Sequence, residues 1–119
     1  MNNTMNEVEI LLVEDEQIAA MDIRQMIEEL DYRVLDIVDT SRAALEKLEQ
    51  HSMDLIIMDI MLAGKDDGIK TVRKINQSYD IPVVYLTAYS DDETLTRAKE
   101  TNPAGFLVKP VNKEDLLTT

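Results

Sequence analysis

Short apolar runs, each followed directly by at least one polar side chain, constrain the fold of this chain more than any other feature. Four such runs lie at residues 8–13, 55–58, 83–86 and 106–108, and each is short enough to be a buried strand. The residues that follow these runs are Glu14 with Asp15, Asp59, Thr87 with Ala88, and Lys109 with Pro110. Since the carboxyl ends of parallel strands meet at one edge of an open α/β sheet, we expect these residues to converge on one crevice. Three acids, one hydroxyl and one lysine favour a magnesium and phosphoryl site.

Helical patterns fill the segments between the runs. Residues 34–38 form a further strand, which Asp36 interrupts. Strand and helix patterns alternate along the chain without a linker or a low-complexity segment, as in repeated βα units. The apolar residues at helical spacing after the first run are Ala19, Ile23, Met26, Ile27 and Leu30. The predicted caps of the second, fourth and fifth helices are Thr40 or Ser41, the capping box of Ser90 and Glu93, and Asn112.

The composition of the strands indicates their order in the sheet. The first, third and fourth strands are nearly all apolar, as expected for interior parallel strands that are covered on both faces. The second strand contains Asp36 and the fifth is short, so both are predicted at the edges. We therefore predict a flavodoxin-like, doubly wound, five-stranded parallel sheet of order 2-1-3-4-5, with helices on both faces. Its switch point lies between the first and third strands, where Glu14, Asp15 and Asp59 are expected.

Size, charge and cysteine content exclude several classes of function. The 119 residues predict a single domain, 1–119, with a flexible start at residues 1–6. The formal net charge is −12 and the basic residues are scattered, so direct nucleic-acid binding is not expected. No apolar stretch approaches the roughly 20 residues that span a bilayer, and the start lacks a signal-peptide pattern, which predicts a cytoplasmic protein. The absence of cysteine excludes disulfides and thiolate-bound metals.

The three acids require a counter-charge if they lie together. Two carboxylates about 5 Å apart repel by roughly 3 kcal/mol at an effective dielectric constant near 20, so a cluster of three needs a cation or a proton. Oxygen ligands favour Mg²⁺, which commonly bridges to phosphate oxygens. Once Mg²⁺ and Lys109 neutralise the phosphoryl oxygens, the carboxylate of Asp59 can attack phosphorus and form a covalent acyl phosphate.

The same residues resemble the receiver domain of two-component response regulators, a CheY-like domain. The resemblance extends from residue 8 to about residue 117, and it rests on Phe106 together with the residues that follow the four runs. It implies a signalling receiver, not an enzyme for external substrates, in which Asp59 accepts a phosphoryl group from a histidine kinase or histidine phosphotransfer protein. It also implies Mg²⁺ bound by Asp15, Asp59 and the backbone carbonyl of Met61, with Glu14 acting largely through water.

The resemblance assigns the remaining site residues to switching and to water access. Thr87 would bond one phosphoryl oxygen and Lys109 another, with a cis peptide bond between Lys109 and Pro110. Thr87 and Phe106 would form the switch, which changes the surface made by the fourth helix, fifth strand and fifth helix. That surface is expected to bind a partner or to form a homodimer. The residues expected to control water access to the phosphoryl group are Met61, Ala88 and Tyr89.

Two departures from the common receiver pattern affect these expectations. The loop at residues 60–67 is one residue longer than usual and has Ala63 where many members have proline, so the Met61 carbonyl is carried over onto a loop of unusual length. The switch aromatic is Phe106, where tyrosine is common. A hydroxyl-mediated contact in the active state therefore cannot form.

Three other classes of function fit part of the pattern. A haloacid-dehalogenase-like hydrolase also uses an aspartate after a strand, but it usually has a second acid two residues later, where this chain has Met61. A flavodoxin-like flavin binder would need glycines and hydroxyls after the first strand, where Glu14, Asp15 and Glu16 would repel phosphate. The third class is a receiver that serves only as a protein-binding scaffold, which a phosphorylation test distinguishes.

The output of the domain stays open at this point. No effector pattern follows it, and the last helix pattern stops after two turns at Thr119, which we interpret as a truncated helix. A free-standing regulator, a DNA-binding regulator and a hybrid kinase are all compatible with the sequence. The sequence does not specify the cognate kinase.

Overall fold

Five strands and five helices alternate in the parts of the chain that the structure, a computed structural model, describes: residues 8–62, 67–88 and 92–118. The alternation of βα units is confirmed. The predicted features at Ala63, Tyr89 and Ser90 lie outside the described residues, as does the predicted flexible start at 1–6. In chain order the elements are β1 (Glu9–Val13), α1 (Gln17–Glu29), β2 (Arg33–Val38), α2 (Ser41–Gln50), β3 (Leu55–Asp59), α3 (Gly68–Ser78), β4 (Val83–Thr87), α4 (Asp92–Lys99), β5 (Gly105–Val108) and α5 (Lys113–Thr118).

The strands form one parallel sheet in the order β2-β1-β3-β4-β5. This confirms the predicted flavodoxin-like topology. Strands β1 and β3 are neighbours in the sheet, where Ile10 pairs with Leu55 and Val13 pairs with Met58. The residues that follow β1 and end β3 are therefore adjacent at the carboxyl edge of the sheet.

The charged residue in edge strand β2 is satisfied locally. The carboxylate of Asp36 accepts a hydrogen bond from the amide of Ile37 at 2.8 Å and lies 2.9 Å from Nζ of Lys47. The hydrogen bond from Lys47 lowers the pKa of Asp36. Asp36 thus remains charged at the exposed edge of the sheet. In an interior strand its carboxylate would have to be buried.

Each face of the sheet carries its own apolar layer, because successive strand residues point to opposite sides. In β1, Leu11 and Val13 belong to the layer that packs against α2, α3 and α4. Ile10 and Leu12 belong to the opposite layer, against α1 and α5. Burial of both faces explains why the central strands are apolar throughout. The two layers hold the strand ends, and hence the site residues, in fixed positions.

Side-chain caps begin three of the helices in the described parts of the chain. Thr40, Asp67 and Asn112 each accept a hydrogen bond from the backbone amide three residues further on, at 2.8 to 3.0 Å. This confirms the predicted caps at Thr40 and Asn112. Such a cap stabilises a helix by about 1 kcal/mol. The caps fix where α2, α3 and α5 begin after the strand ends.

Helix α1 packs on the sheet through Ala20, Ile23 and Ile27. Ala20, which the helical pattern in the sequence did not include, is buried, whereas Ala19 is only half-buried. Positions 20, 23 and 27 are three and four residues apart and so lie on one line along the helix. No helix among the described residues is long and apolar enough to cross a membrane.

Candidate functional site

Acidic and basic side chains from three strand ends meet at the carboxyl edge of the sheet. Glu14 follows β1, Asp59 ends β3 and Lys109 follows β5. The Nζ atom of Lys109 lies 2.7 Å from Oε1 of Glu14 and 3.1 Å from Oδ2 of Asp59. Asp15 is half-buried beside them, and one carboxylate oxygen each from Glu14, Asp15 and Asp59 lies within 4.8 Å of the others. Residues that are far apart in the sequence therefore form one charged group.

The carboxylate of Asp59 has a defined orientation in this crevice. Its Oδ1 accepts a hydrogen bond from the backbone amide of Met61 at 3.0 Å, and its Oδ2 accepts one from Lys109 at 3.1 Å. Asp59 is 4% exposed, and β3 is paired with a strand on each side. The backbone at Asp59 therefore cannot shift without disturbing the centre of the sheet.

Gly68, the first residue of α3, packs directly against the backbone of Asp59. Its amide donates a hydrogen bond to the carbonyl of Ile60 at 2.7 Å, and a Cβ atom at this position would overlap the carbonyl oxygen of Asp59. Only glycine permits so close an approach. Sequence reasoning did not identify Gly68 as a site residue. The sequence indicates a loop at residues 60–67, but nothing local indicates the contact of the next residue with Asp59.

The carboxylate of Glu14 is completely buried. Its side chain has 0% exposure, and its Oε2 accepts a hydrogen bond from the amide of Glu16 at 3.0 Å. Its Oε1 lies 2.7 Å from Nζ of Lys109, within the range of a charge-assisted hydrogen bond. A buried carboxylate needs positive charge beside it, which Lys109 supplies here.

The electrostatics of the crevice distinguish its three central groups. Burial, and then the neighbouring Glu14, raise the pKa of Asp59 to about 7. Burial alone would raise the pKa of Glu14, but Lys109 and the amide of Glu16 outweigh it and lower that pKa below its usual range. Burial also opposes the charge on Lys109, yet Glu14 and Asp59 raise its pKa above the usual range. Lys109 therefore stays charged, and Asp59 is the carboxylate that most needs a further counter-charge.

The residues present fit a Mg²⁺ site. Glu14, Asp15 and Asp59 carry three negative charges when ionised, against one positive charge from Lys109. Mg²⁺ prefers oxygen ligands, commonly one or two carboxylates with several waters. The donor set and the excess negative charge both match that preference.

The backbone of β4 and the segment after β5 meet next to the acidic group. Thr87 is buried at the end of β4, and its carbonyl accepts a hydrogen bond from the amide of Lys109 at 2.8 Å. The peptide bond between Lys109 and Pro110 is cis. The side chains of Thr87 and Lys109 thus border the same crevice from neighbouring strand ends.

Two of the three residues expected to control water access can be described. Ala88 is exposed directly after Thr87, and the side chain of Met61 is 72% exposed two residues after Asp59. Tyr89 lies outside the described residues. The role of these positions stays a prediction.

Phe106, the expected switch aromatic, is half-buried in β5. Its ring stacks on that of Tyr85, with ring centroids 5.7 Å apart and an interplanar angle of 28°. The two residues are opposite each other in the register of β4 and β5. Phe106 therefore packs against the apolar layer on the face of the sheet that is covered by α2, α3 and α4.

An exposed apolar pair on α1 was missed by sequence reasoning. Ile18 is 80% exposed and Met21 is 58% exposed, and their spacing of three residues places them on one side of the helix. Glu16, directly before α1, and Asp22 on α1 help to line an open groove of about 590 Å³ that continues to residues 109–111. The signal in the sequence that could have identified Ile18 and Met21 is that both fall outside the apolar stripe on the buried side of α1.

Comparison with known proteins finds clear relatives. Residues 10–119 match the family described as the response regulator receiver domain. The transcriptional regulatory protein PdtaR of Mycobacterium tuberculosis is 33% identical over 108 residues, which are 91% of this chain and 52% of that protein. The phyllosphere-induced regulator PhyR of Methylorubrum extorquens is 32% identical over 103 residues, which are 86% of this chain and 38% of that protein. The chain thus spans about half or less of the length of these curated relatives.

A solved structure of similar length agrees with this result. The signal receiver domain of a modulated diguanylate cyclase from Desulfovibrio desulfuricans G20 is 34% identical to this chain. The two superpose with a TM-score of 0.88, over 95% of this chain and 90% of that chain. The likeness therefore includes both the sequence and the complete fold of the domain.

Proposed function

Because this chain belongs to the response regulator receiver domain family of two-component systems, we propose that it is a phosphorylated signalling switch in which Asp59 accepts the phosphoryl group. The observation that carries the proposal is the position of the Asp59 carboxylate. It is buried at the end of β3, 3.1 Å from Nζ of Lys109, and it shares an acidic group with Glu14 and Asp15.

The proposed metal ligands are Asp15 and Asp59 with the backbone carbonyl of Met61, while Glu14 acts largely through water. When bound, Mg²⁺ supplies positive charge that offsets the acids and the phosphoryl oxygens. The excess of acids over lysine in the crevice supports this assignment. The proximity of three carboxylate oxygens, all within 4.8 Å of one another, supports it as well.

Phosphoryl transfer requires an ionised and correctly aimed Asp59. One carboxylate oxygen of Asp59 forms a bond to phosphorus, while the bond from phosphorus to the leaving atom of the donor breaks and its electron pair stays on the leaving group. The amide of Met61 holds the other carboxylate oxygen in place. Lys109 stays protonated and pairs with a phosphoryl oxygen of the product, and the hydroxyl of Thr87 donates to another.

The proposed phosphoryl donor is a histidine kinase or a histidine phosphotransfer protein. Ile18 and Met21 present exposed apolar area on α1, the helix that follows the acidic residues of the crevice. Glu16 and Asp22 line a shallow pocket together with Ile18 and would attract basic groups on the donor. This face of α1 therefore offers both apolar contact and charge for docking.

The proposed output is a change in the surface formed by α4, β5 and α5. A phosphoryl group adds about −1.5 to −2 charge and strong hydrogen-bond acceptors, which would draw the hydroxyl of Thr87 inward. Phe106 has no polar group, so its ring can occupy a buried position without leaving a hydroxyl unpaired. Ala98 is the one fully buried residue of α4, so few apolar contacts oppose movement of this helix. The same surface would bind a partner or form a homodimer.

Intact-mass analysis after incubation with acetyl phosphate and Mg²⁺ tests the proposal. We expect one added phosphoryl group in the wild type, and none in Asp59→Asn or in the presence of EDTA. A matched control is Asp39→Asn, which removes an exposed carboxylate directly after β2 and should be labelled like the wild type. Labelling of Asp59→Asn at the wild-type level, or labelling that EDTA does not affect, would contradict the assignment. An unlabelled wild type would favour the scaffold function instead.

A further inference from the structure

A buried polar network joins β4 to the end of α4, outside the crevice. The hydroxyl of Tyr85 lies 2.7 Å from Oγ1 of Thr101, which in turn lies 2.6 Å from the carbonyl oxygen of Ala98. The side-chain amide of Asn76 on α3 donates to the carbonyl of Thr101 at 3.1 Å. Tyr85 is 0% exposed and Thr101 is 7% exposed. Three elements of the fold thus meet at one hydrogen-bonded group, of which Tyr85 and Thr101 are buried.

The direction of the hydrogen bond between Tyr85 and Thr101 follows from hydroxyl chemistry. The carbonyl of Ala98 can only accept, so Thr101 donates its single proton to that carbonyl. Tyr85 is therefore the donor to Thr101. Burial raises the pKa of Tyr85, which keeps the phenol protonated near neutral pH. The outer end of the tyrosine ring is thereby tethered to the segment that ends α4.

The ring of Tyr85 is also the surface on which Phe106 stacks. Thr87 lies two residues after Tyr85 in β4, so the side chains of both point to the same face of the sheet. Phe106 is opposite Tyr85 on β5, with 5.7 Å between ring centroids. Tyr85 consequently lies between the two proposed switch residues and the end of α4.

We propose that Tyr85 is a positioning residue of the switch, whose hydrogen bond to Thr101 links the position of the Phe106 ring to the end of α4. The inference rests on the proposed function of the crevice and adds the route by which Phe106 reaches the helix. A buried tyrosine needs only one partner for its hydroxyl. Here the partner of the hydroxyl and the partner of the ring lie on two different elements that border the switch surface.

Two ion pairs that also hold α4 and its end are weaker. Arg97 on α4 pairs with Asp67 at 3.2 Å, and Glu100 after α4 pairs with Arg73 at 3.5 Å. All four side chains are more than a quarter exposed, and exposed ion pairs of this kind contribute little to stability. The hydrogen bond from Tyr85 is fully buried and leaves the phenol without a partner if it breaks. It is therefore the stronger link between the sheet and the end of α4.

The first test is a pair of NMR shift maps recorded with and without beryllofluoride and Mg²⁺. In the wild type we expect changes both in β5 and at residues 98–101. Tyr85→Phe keeps the ring and removes the hydroxyl, so the changes in β5 should persist while those at residues 98–101 become at least about twofold smaller. Tyr79→Phe removes a hydroxyl from a half-buried tyrosine of the same apolar layer and should behave like the wild type. Full-sized changes at residues 98–101 in Tyr85→Phe would overturn the proposal.

The second test needs no phosphoryl mimic. Urea unfolding of Thr101→Val, Phe106→Leu and the double variant measures the coupling between these two residues. We expect the unfolding constant of the double variant to differ by at least about twofold from the product of the single effects, and the difference to vanish in a Tyr85→Phe background. The variant that combines Tyr85→Phe with Thr101→Val lacks both hydroxyls. It therefore buries no hydroxyl without a partner, which favours folding. Independent effects in the wild-type background, or coupling that survives Tyr85→Phe, would contradict the link.

The two tests separate failure of this inference from failure of the proposed function. A wild type that does not respond to beryllofluoride with Mg²⁺ contradicts the proposed function, and the unfolding cycle then decides the link by itself. A wild type that responds, with an identical response in Tyr85→Phe, leaves the role of Asp59 intact and contradicts the link.

Discussion

Replacement of Asp59 by asparagine should stabilise the metal-free protein, and the gain should increase with pH. Burial and then Glu14 raise the pKa of Asp59 to about 7 in the folded protein, against an ordinary value of 3.8. Between these two values the folded chain keeps a proton that the unfolded chain has lost. The wild type therefore loses stability as the pH rises from about 4 to about 7. Asparagine has nearly the same shape and no proton to lose, so Asp59→Asn avoids this loss.

The size of the effect follows from the separation of the two pKa values. A difference of one pKa unit corresponds to about 1.4 kcal/mol, so values of 3.8 and about 7 give an upper limit of about 4 kcal/mol at pH 8 and about 2 kcal/mol at pH 5. Asp59 is 4% exposed, so solvent screens its charge little. Relaxation of the neighbouring charged groups reduces the penalty, and we expect a gain of roughly 2 to 4 kcal/mol at pH 8.

Urea unfolding in EDTA at pH 5 and pH 8, followed by circular dichroism, measures this gain. Asp39→Asn is the control for the change in net charge, because the chain carries −12 and loss of any one acid weakens its self-repulsion. Mg²⁺ should stabilise the wild type more than Asp59→Asn and so narrow the difference. The reasoning is refuted if Asp59→Asn is no more stable than Asp39→Asn at pH 8, or if its gain is equal at the two pH values.

Three further predictions concern neighbouring residues. Lys109→Ala should lower acetyl phosphate labelling by at least about tenfold, since a charge that stabilises the transferred group is lost. Mg²⁺ binding, measured by NMR titration, should be retained. Loss of metal binding would show that the role assigned to the lysine is wrong. Gly68→Ala should cost about 1 to 3 kcal/mol in urea unfolding, because its Cβ would overlap the carbonyl of Asp59, and stability equal to that of exposed Ser78→Ala would contradict the contact. Met61→Asn and Tyr89→Ala should each speed loss of the phosphoryl group measured by intact mass over time, whereas unchanged decay in both would show that these side chains do not control water access.

Much of the fold could be predicted because it depends on local patterns. The alternation of apolar runs with helical patterns sets the order of the elements, and the caps at Thr40 and Asn112 follow from the preference of a few residue types for helix starts. The sheet order also follows locally, since Asp36 marks β2 as an edge strand and the central strands are apolar. The set of candidate site residues could be predicted for the same reason, because each one follows a recognisable strand.

Contacts between distant parts of the chain could not be predicted in this way. The fit of Gly68 against Asp59 depends on how closely α3 approaches β3, and the exposure of Ile18 depends on the angle at which α1 packs on the sheet. The hydrogen bond between Tyr85 and Thr101 depends on where α4 ends relative to β4. None of these distances is encoded by residue type and spacing along one element.

The sequence by itself determined which chemical groups the crevice contains, whereas the tertiary structure decided their state. Residue type fixes that Glu14 and Asp59 are acids and that Lys109 is a base. The pKa values are raised or lowered by burial and by neighbours up to 95 residues away in the chain, as in the contact of 2.7 Å between Glu14 and Lys109. Both effects depend on distance in space, because desolvation and Coulomb interactions act through the folded arrangement and not along the sequence.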